Sequence, residues 1–211
     1  MEWEPLGKIV DKARISACGL TTALIIGSPV VAAQSAETYL TANCSECHGI
    51  NGVGTEPDIP HLNGQLESLL ATMLNDFRND KRSPKVRIHR EIPADRVNPL
   101  AKHYSQQVAV RPKSATNPEL VARGEAIYQK RCAECHIDAG RESDKEAPLL
   151  AGQSLTYLIA QSMAYKRGER KYPYLMDDAY RDISEADLVA IAHYFATEDQ
   201  VASQRGRKRR R

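Results

Sequence analysis

Apolar residues recur at helical spacing in several stretches of this chain, and no strand-length run alternates convincingly between apolar and polar positions. In the first half, residues three and four positions apart share one helix face: Leu66, Leu69, Leu70, Met73, Leu74 and Phe77. The same spacing returns in the second half at Leu155, Leu158, Ile159 and Met163. Further helices are predicted over 36–43, 94–105 and 118–130, and after the N-cap residue Ser184. The pattern predicts an all-α fold.

The chain repeats itself at an offset of 88 residues. Four landmarks share this offset: Cys44 and Cys132, His48 and His136, Gly64-Gln65 and Gly152-Gln153, Arg82 and Arg170. A period of this length indicates the duplication of a whole domain, because solenoid repeats are shorter. The predicted organisation is a signal peptide over 1–33, a first domain over 34–107, a linker over 108–117, a second domain over 118–200 and a basic tail over 201–211.

The N-terminal segment has the layout of a secretory signal peptide. Basic residues stand at its front, an apolar stretch covers residues 19–31, and Val31-Ala32-Ala33 supplies small residues for cleavage. The alternative is an uncleaved membrane anchor, but the apolar stretch contains Pro29 and is shorter than the ~20 residues of a spanning helix. We therefore expect export to the periplasm and cleavage near Ala33. The fifth cysteine, Cys18, lies in this segment, so the mature chain is expected to have no spare thiol.

Charge is concentrated at the C-terminus. The formal net charge is +2, and six of the last seven residues, 205–211, are basic, which leaves the body of the chain mildly acidic. A basic run can indicate nucleic-acid binding, but in an exported protein we expect none. An acidic partner or a peripheral contact with an anionic membrane surface is the better candidate for this tail. The simplest interpretation is a solvated tail, since runs of like charge repel and stay unstructured.

Two Cys-x-x-Cys-His motifs carry the chemistry of the chain, at residues 44–48 and 132–136. This spacing is typical of c-type haem attachment, in which two cysteines bind the haem vinyl groups and the histidine ligates the iron. A four-cysteine zinc site would have its pairs about 15–20 residues apart, whereas 84 residues separate these. A redox dithiol requires no histidine after the second cysteine. The motifs predict two covalent haem c groups on Cys44, Cys47, Cys132 and Cys135, with His48 and His136 as proximal ligands.

Further repeated motifs follow each attachment site. The first half has Pro60-His61-Leu62-Asn63-Gly64-Gln65 and a Phe-x-x-x-x-Arg stretch that ends at Arg82, and the second half has counterparts over 148–153 and 167–170. With these motifs, residues 35–200 resemble the two-haem cytochromes c of the cytochrome c4 family, and are similar to the haem subunits of flavocytochrome c sulfide dehydrogenases. The resemblance implies two tandem cytochrome c domains, each wrapped around a covalent haem c, and periplasmic electron transfer.

The resemblance also implies a methionine as sixth iron ligand in the loop after the arginine. Met176 stands six residues after Arg170, whereas the corresponding loop of the first half, residues 83–92, contains no methionine. At the 88-residue offset Met176 corresponds to Ile88, and the next residue, His89, can bind iron. We therefore predict Met176 and His89 as sixth ligands. The alternatives for haem one are His61, His103, and an open or water-ligated iron.

The leading hypothesis for function is an electron carrier with no catalytic chemistry of its own. Its partners would be a donor and an acceptor protein, for instance a flavoprotein dehydrogenase and a terminal oxidase. A second hypothesis is a haem subunit of a sulfide (flavocytochrome c) or other sulfur-compound dehydrogenase complex. A third is an enzyme that acts on a small sulfur or nitrogen compound at haem one, which requires a displaceable ligand there.

Overall fold

A computed structural model describes residues 35–144, 147–171 and 174–200. The predicted signal peptide with its cleavage site, and the predicted basic tail, lie outside the described residues. Across the described ranges every regular element is helical, which confirms the predicted all-α fold class. None of the described helices is both long enough and apolar enough to cross a membrane.

The first half is built on two longer helices that pack against each other. Its helices are α1 (Ala36–Asn43), α2 (Ser45–His48), α3 (Glu67–Arg78) and α4 (Ala94–Ser105), with a 3-10 turn at Arg87–His89. The Ser35 hydroxyl caps α1 by accepting the Thr38 amide hydrogen at 3.1 Å. The apolar faces of α1, α3 and α4 meet in one core that includes Leu40, Leu70, Val97, Leu100 and Tyr104.

The second half repeats this arrangement with longer first and last helices. Its helices are α5 (Pro118–Arg131), α6 (Ile137–Gly140), α7 (Leu155–Lys166), α8 (Asp177–Tyr180) and α9 (Glu185–Thr197), with a 3-10 turn at Tyr174–Met176. The predicted cap is present, since the Ser184 hydroxyl accepts the Asp187 amide hydrogen at 3.0 Å. The core gathers residues of α5, α7 and α9, among them Tyr128, Leu158, Leu188, Ile191 and Phe195.

The loop that follows Arg170 and holds Met176 contains two short helical elements, the 3-10 turn and α8. Helical periodicity needs a window of about 11–18 residues, so elements of three or four residues give no periodic signal. Asp177 and Asp178 occupy the first turn of α8, where the helix dipole favours negative charge.

Gly124 marks the close approach of α5 to α9. A Cβ atom at this position would overlap the backbone carbonyl of Ala190 and would lie 2.9 Å from the Tyr194 Cβ. Neither group is the mobile end of a side chain, so the two backbones would have to separate. The absent side chain therefore allows the first and last helices of the second half to touch.

Replacing Gly124 with alanine is expected to destabilise the protein, although alanine favours a helix over glycine by about 1 kcal/mol. The overlap with Ala190 outweighs this gain, and overpacking of this kind lowers the free energy of unfolding by about 1–3 kcal/mol. Urea denaturation of the holoprotein measures the change. Gln129→Ala, at an exposed position of the same helix, is the control and should be neutral or slightly stabilising. A Gly124→Ala protein as stable as the parent would contradict the packing argument.

The two halves exchange the same hydrogen bonds, and the described residues lie within a single compact unit. The Gln65 side chain donates to the Leu149 carbonyl at 2.8 Å and accepts from the Leu149 amide at 2.9 Å. Gln153 donates to the His61 carbonyl at 2.9 Å and accepts from the His61 amide at 2.8 Å. Gln65 and Gln153 are 88 residues apart, and so are their partners His61 and Leu149. Such a reciprocal exchange is the signature of a local two-fold axis.

Candidate haem-binding sites

Each Cys-x-x-Cys-His motif begins where a helix ends. Cys44 follows α1 and is the N-cap of α2, which carries Cys47 and His48 within one turn. Cys132 likewise follows α5. The first cysteine of each pair is half-buried, and the second, Cys47 or Cys135, is exposed. The motif residues thus lie at the edge of the apolar core in both halves.

The buried thiols do not fit a dithiol redox centre. Burial raises the pKa of both Cys44 and Cys132 to about 11. A redox-active pair requires a thiolate, and its attacking cysteine has a lowered pKa. The motifs therefore fit covalent attachment better than disulfide exchange.

His48 has the environment of an imidazole ligand. It is buried, and its Nδ1–H donates to the Pro60 carbonyl at 3.2 Å. Metal-binding histidines commonly donate one ring N–H to a carbonyl, which fixes the ring and leaves the other nitrogen free for the metal. Burial lowers the pKa of His48 to about 4, so the ring is neutral, as ligation requires.

His89 faces His48 at the separation expected for two ligands of one metal ion. Their ring centroids are 6.0 Å apart. With metal–nitrogen bonds of about 2 Å, two imidazoles on opposite sides of a metal have centroids about 6 Å apart. The His89 ring stacks on Phe77 at 5.0 Å, and its buried Nδ1 has no hydrogen-bond partner among the described residues. Burial, with a smaller contribution from Arg82, lowers the pKa of His89. The residues present therefore fit an iron with two histidine ligands.

The other candidate ligands of the first half are engaged elsewhere. His61 directly follows Pro60, and its Nδ1 accepts the Gly54 amide hydrogen at 3.0 Å. His103 is held by the Ile50 carbonyl, 2.6 Å from its Nε2. Among the ring contacts of the described residues, His48 pairs with His89 and with neither of these two imidazoles.

The second site has a different set of residues. The His136 ring lies 6.1 Å from that of Phe195, and within the part of the chain that the structure describes its buried Nδ1 has no hydrogen-bond partner. Met176 ends the 3-10 turn before α8, and its side chain is half-buried. Met163 packs against the core of the second half, as its position on a helix face predicts. An unpaired buried ring nitrogen at His136 fits a site completed by a group that the polypeptide does not supply.

The repeated arginines make equivalent contacts in the two halves. The Arg82 guanidinium lies 4.5 Å from the Phe77 ring centroid, and that of Arg170 lies 4.5 Å from the Tyr165 ring centroid. Both arginines also donate to the Gln161 side-chain oxygen, at 2.9 and 2.6 Å. Sequence reasoning missed this stacking, although the 88-residue offset relates Phe77 to Tyr165. It also missed the buried Arg111, for which the polar linker gives no sequence signal.

Two family models match the chain, one for each half. The model described as "Cytochrome c" matches residues 32–107, and the one described as "Cytochrome C oxidase, cbb3-type, subunit III" matches residues 119–195. Cytochrome c4 of Pseudomonas aeruginosa is 27% identical over 168 residues, which cover 72% of this chain and 82% of that protein. The thiosulfate dehydrogenase electron acceptor of Thiomonas intermedia is 27% identical over 205 residues, which cover 90% and 94%.

The fold is also found among solved structures. Reduced recombinant cytochrome c4 from Pseudomonas stutzeri superposes with a TM-score of 0.66 at 22% identity, over 77% of this chain and 96% of that one. At this identity the likeness concerns the fold alone. Together with the two family matches, it confirms the predicted architecture of two tandem cytochrome c domains.

Proposed function

This chain is a cytochrome c4-like electron carrier with two covalently bound haem c groups, and from this premise we propose that it works in the periplasm. There it would accept electrons from a donor protein and pass them to a terminal acceptor. Relatives named as electron acceptors of thiosulfate dehydrogenase support a role with protein partners. The bound haems supply the one-electron Fe(II)/Fe(III) chemistry, and the polypeptide supplies attachment, ligands and exclusion of water.

We assign Cys44 and Cys47 to haem one and Cys132 and Cys135 to haem two, with His48 and His136 as proximal ligands. His89 is the proposed sixth ligand of haem one, and Met176 that of haem two. The observation that carries this assignment is the pair of imidazoles of His48, which is buried, and His89, which is half-buried, with ring centroids 6.0 Å apart. The Pro60 carbonyl and the Phe77 ring hold these two imidazoles in place.

The different sixth ligands set the direction in which electrons pass between the two haems. A thioether ligand raises the potential of a haem relative to an imidazole ligand. Haem two, with Met176, should therefore have the higher potential, and haem one, with His89, the lower. Electrons would enter at haem one and leave from haem two.

An anaerobic redox titration with near-infrared spectra tests this proposal. We expect two one-electron steps at separate potentials, with a methionine–iron charge-transfer band from one haem only. Two such bands, or none, would contradict the proposed ligand set. A chain that takes up fewer than two electrons would contradict the carrier itself.

The periplasmic location is supported by the signal-like segment, since c-type haem is attached outside the cytoplasm. N-terminal sequencing of protein from the periplasmic fraction should give a start near Ala33. A protein that starts at Met1 and stays in the membrane fraction would instead indicate an anchor.

A second candidate function is the electron-accepting partner of a sulfur-compound dehydrogenase. The observation that favours it is the match over 90% of this chain to a relative named as a thiosulfate dehydrogenase electron acceptor. Co-purification with a dehydrogenase separates a subunit from a free carrier. Carbon monoxide tests the remaining hypothesis of an enzyme at haem one, because two irons that each have six ligands should not bind it.

A further inference from the structure

Arg111, in the segment that connects the two halves, is a buried cation that bridges them. Only 9% of the residue is exposed. Its Nη2 donates to the Asn63 carbonyl at 3.1 Å, its Nη1 to the Ala151 carbonyl at 3.0 Å, and its Nε to the Asn63 side-chain oxygen at 3.2 Å. One guanidinium therefore contacts the first half through one end and the second half through the other.

The two carbonyls that Arg111 contacts are equivalent in the repeat. Asn63 and Ala151 are separated by the same 88 residues that relate all other landmarks. They stand between His61 and Gln65 and between Leu149 and Gln153, the pairs that exchange hydrogen bonds about the local two-fold axis. The Arg111 guanidinium thus lies at this axis, related in the same way to both halves.

No carboxylate of the described residues pairs with the positive charge of Arg111. Its three hydrogen bonds all go to uncharged oxygens, and it forms no ion pair within the described ranges. Burial lowers the pKa of Arg111 to about 10, so it remains protonated at neutral pH. Buried charges are normally paired, because their removal from water is costly.

The loops that Arg111 joins are those that follow the two haem-attachment motifs. In the first half, the loop over 60–65 supplies both the Pro60 carbonyl that holds His48 and the Asn63 carbonyl that holds Arg111. The corresponding loop over 148–153 contains Ala151. Arg111 thus bonds to the same short loop in both haem-binding halves.

We propose that Arg111 is a shared positive charge that raises the reduction potentials of both haems together. The proposal rests on the proposed dihaem carrier function. Reduction removes one positive charge from a haem centre, so a nearby fixed cation stabilises the reduced state relative to the oxidised one. The effect is strong in an interior of low dielectric constant. Because Arg111 lies on the local axis, both potentials shift in the same direction, whereas the sixth ligands separate them.

The test compares three variants of the haem-loaded protein by potentiometric titration. In Arg111→Gln the charge is lost, and both midpoint potentials should fall. In Arg111→Lys the charge stays but the double bridge is lost, so both potentials should remain near those of the parent. Arg123→Gln removes the same charge from an exposed ion pair with Asp187 and should shift neither potential.

Thermal unfolding of the same proteins distinguishes the effect of the Arg111 charge from that of its hydrogen bonds to the two halves. A purely structural role predicts that the Gln and Lys variants of Arg111 lose stability and change potential alike. Equal shifts of the midpoint potentials in these two variants would overturn the proposal. So would a potential shift in Arg111→Gln that is no larger than in Arg123→Gln.

The Arg111→Lys protein decides the question if Arg111→Gln does not fold. A buried lysine loses its proton at a lower pH than an arginine does, so raising the pH should lower both potentials of this variant relative to those of the parent at the same pH. A difference from the parent that stays constant with pH would overturn the proposal. Failure of the parent protein to show two one-electron steps would instead contradict the carrier function.

Discussion

Replacing Cys132 and Cys135 together by alanine is expected to yield a chain with one haem instead of two. These cysteines are the only thiols of the second motif, and both thioether bonds of haem two depend on them. The remaining protein should lose the methionine–iron band, because Met176 would have no iron to bind. Mass spectrometry and the haem-to-protein ratio measure the loss, which should be complete for one of the two haems.

Cys18→Ala is the matched control for this experiment. Cys18 belongs to the predicted signal peptide, so its removal should leave both haems in place. Full loading with two haems in the Cys132→Ala, Cys135→Ala chain would refute the assignment of the second site. Circular dichroism of both variants reports whether the second half still folds, since a half of this size has a small apolar core and depends on its haem.

The longer helices could be predicted because their apolar residues repeat with a clear period. The predicted helix over 94–105 coincides with α4, and Ser184 caps α9 as expected. The turns at Arg87–His89 and Tyr174–Met176 could not be predicted in this way. Each has three residues and depends on how its loop packs against the rest of its half.

Some residues of the candidate sites could likewise be predicted from local sequence, and others could not. The attachment motifs and their histidines are local in sequence, so their chemistry can be inferred without a structure. His89 required the repeat, since only the 88-residue offset places it next to the counterpart of Met176. The role of Gln65 and Gln153 required the docking of two halves, because each bonds to the backbone of the other half.

Arg111 shows why an interface between repeats is hard to infer from sequence. It stands between Val110 and Pro112 in a segment with no apolar period, which favours a solvated linker. In the structure Val108 and Val110 are exposed, while Ala109 and Arg111 are buried. Asn63 fixes this burial of the polar residue in place of the two valines, since its side-chain amide donates to the Val108 and Val110 carbonyls at 2.9 and 3.0 Å. The partner of the linker lies more than forty residues away, beyond any local pattern.

Replacing His89 with alanine is expected to open haem one to carbon monoxide while haem two stays closed. The imidazole 6.0 Å from His48 is removed, and the loop over 83–92 contains no sulfur ligand to replace it. The reduced variant should bind one carbon monoxide per chain, and the reduced parent none. Optical titration under anaerobic conditions measures the stoichiometry. His103→Ala, which removes a half-buried imidazole bonded to the Ile50 carbonyl, should behave as the parent.

Exchange of the sixth ligands provides the complementary result. His89→Met should introduce a second methionine–iron band and raise the lower of the two potentials, because a thioether replaces an imidazole. Met176→His should abolish the band of the parent and lower the higher potential. If His89→Ala alters neither the spectrum nor carbon monoxide binding, His89 does not ligate the iron, and its stacking on Phe77 is structural. The difference between the two haems would then have to come from another residue of the first half, and His61 is the next to replace.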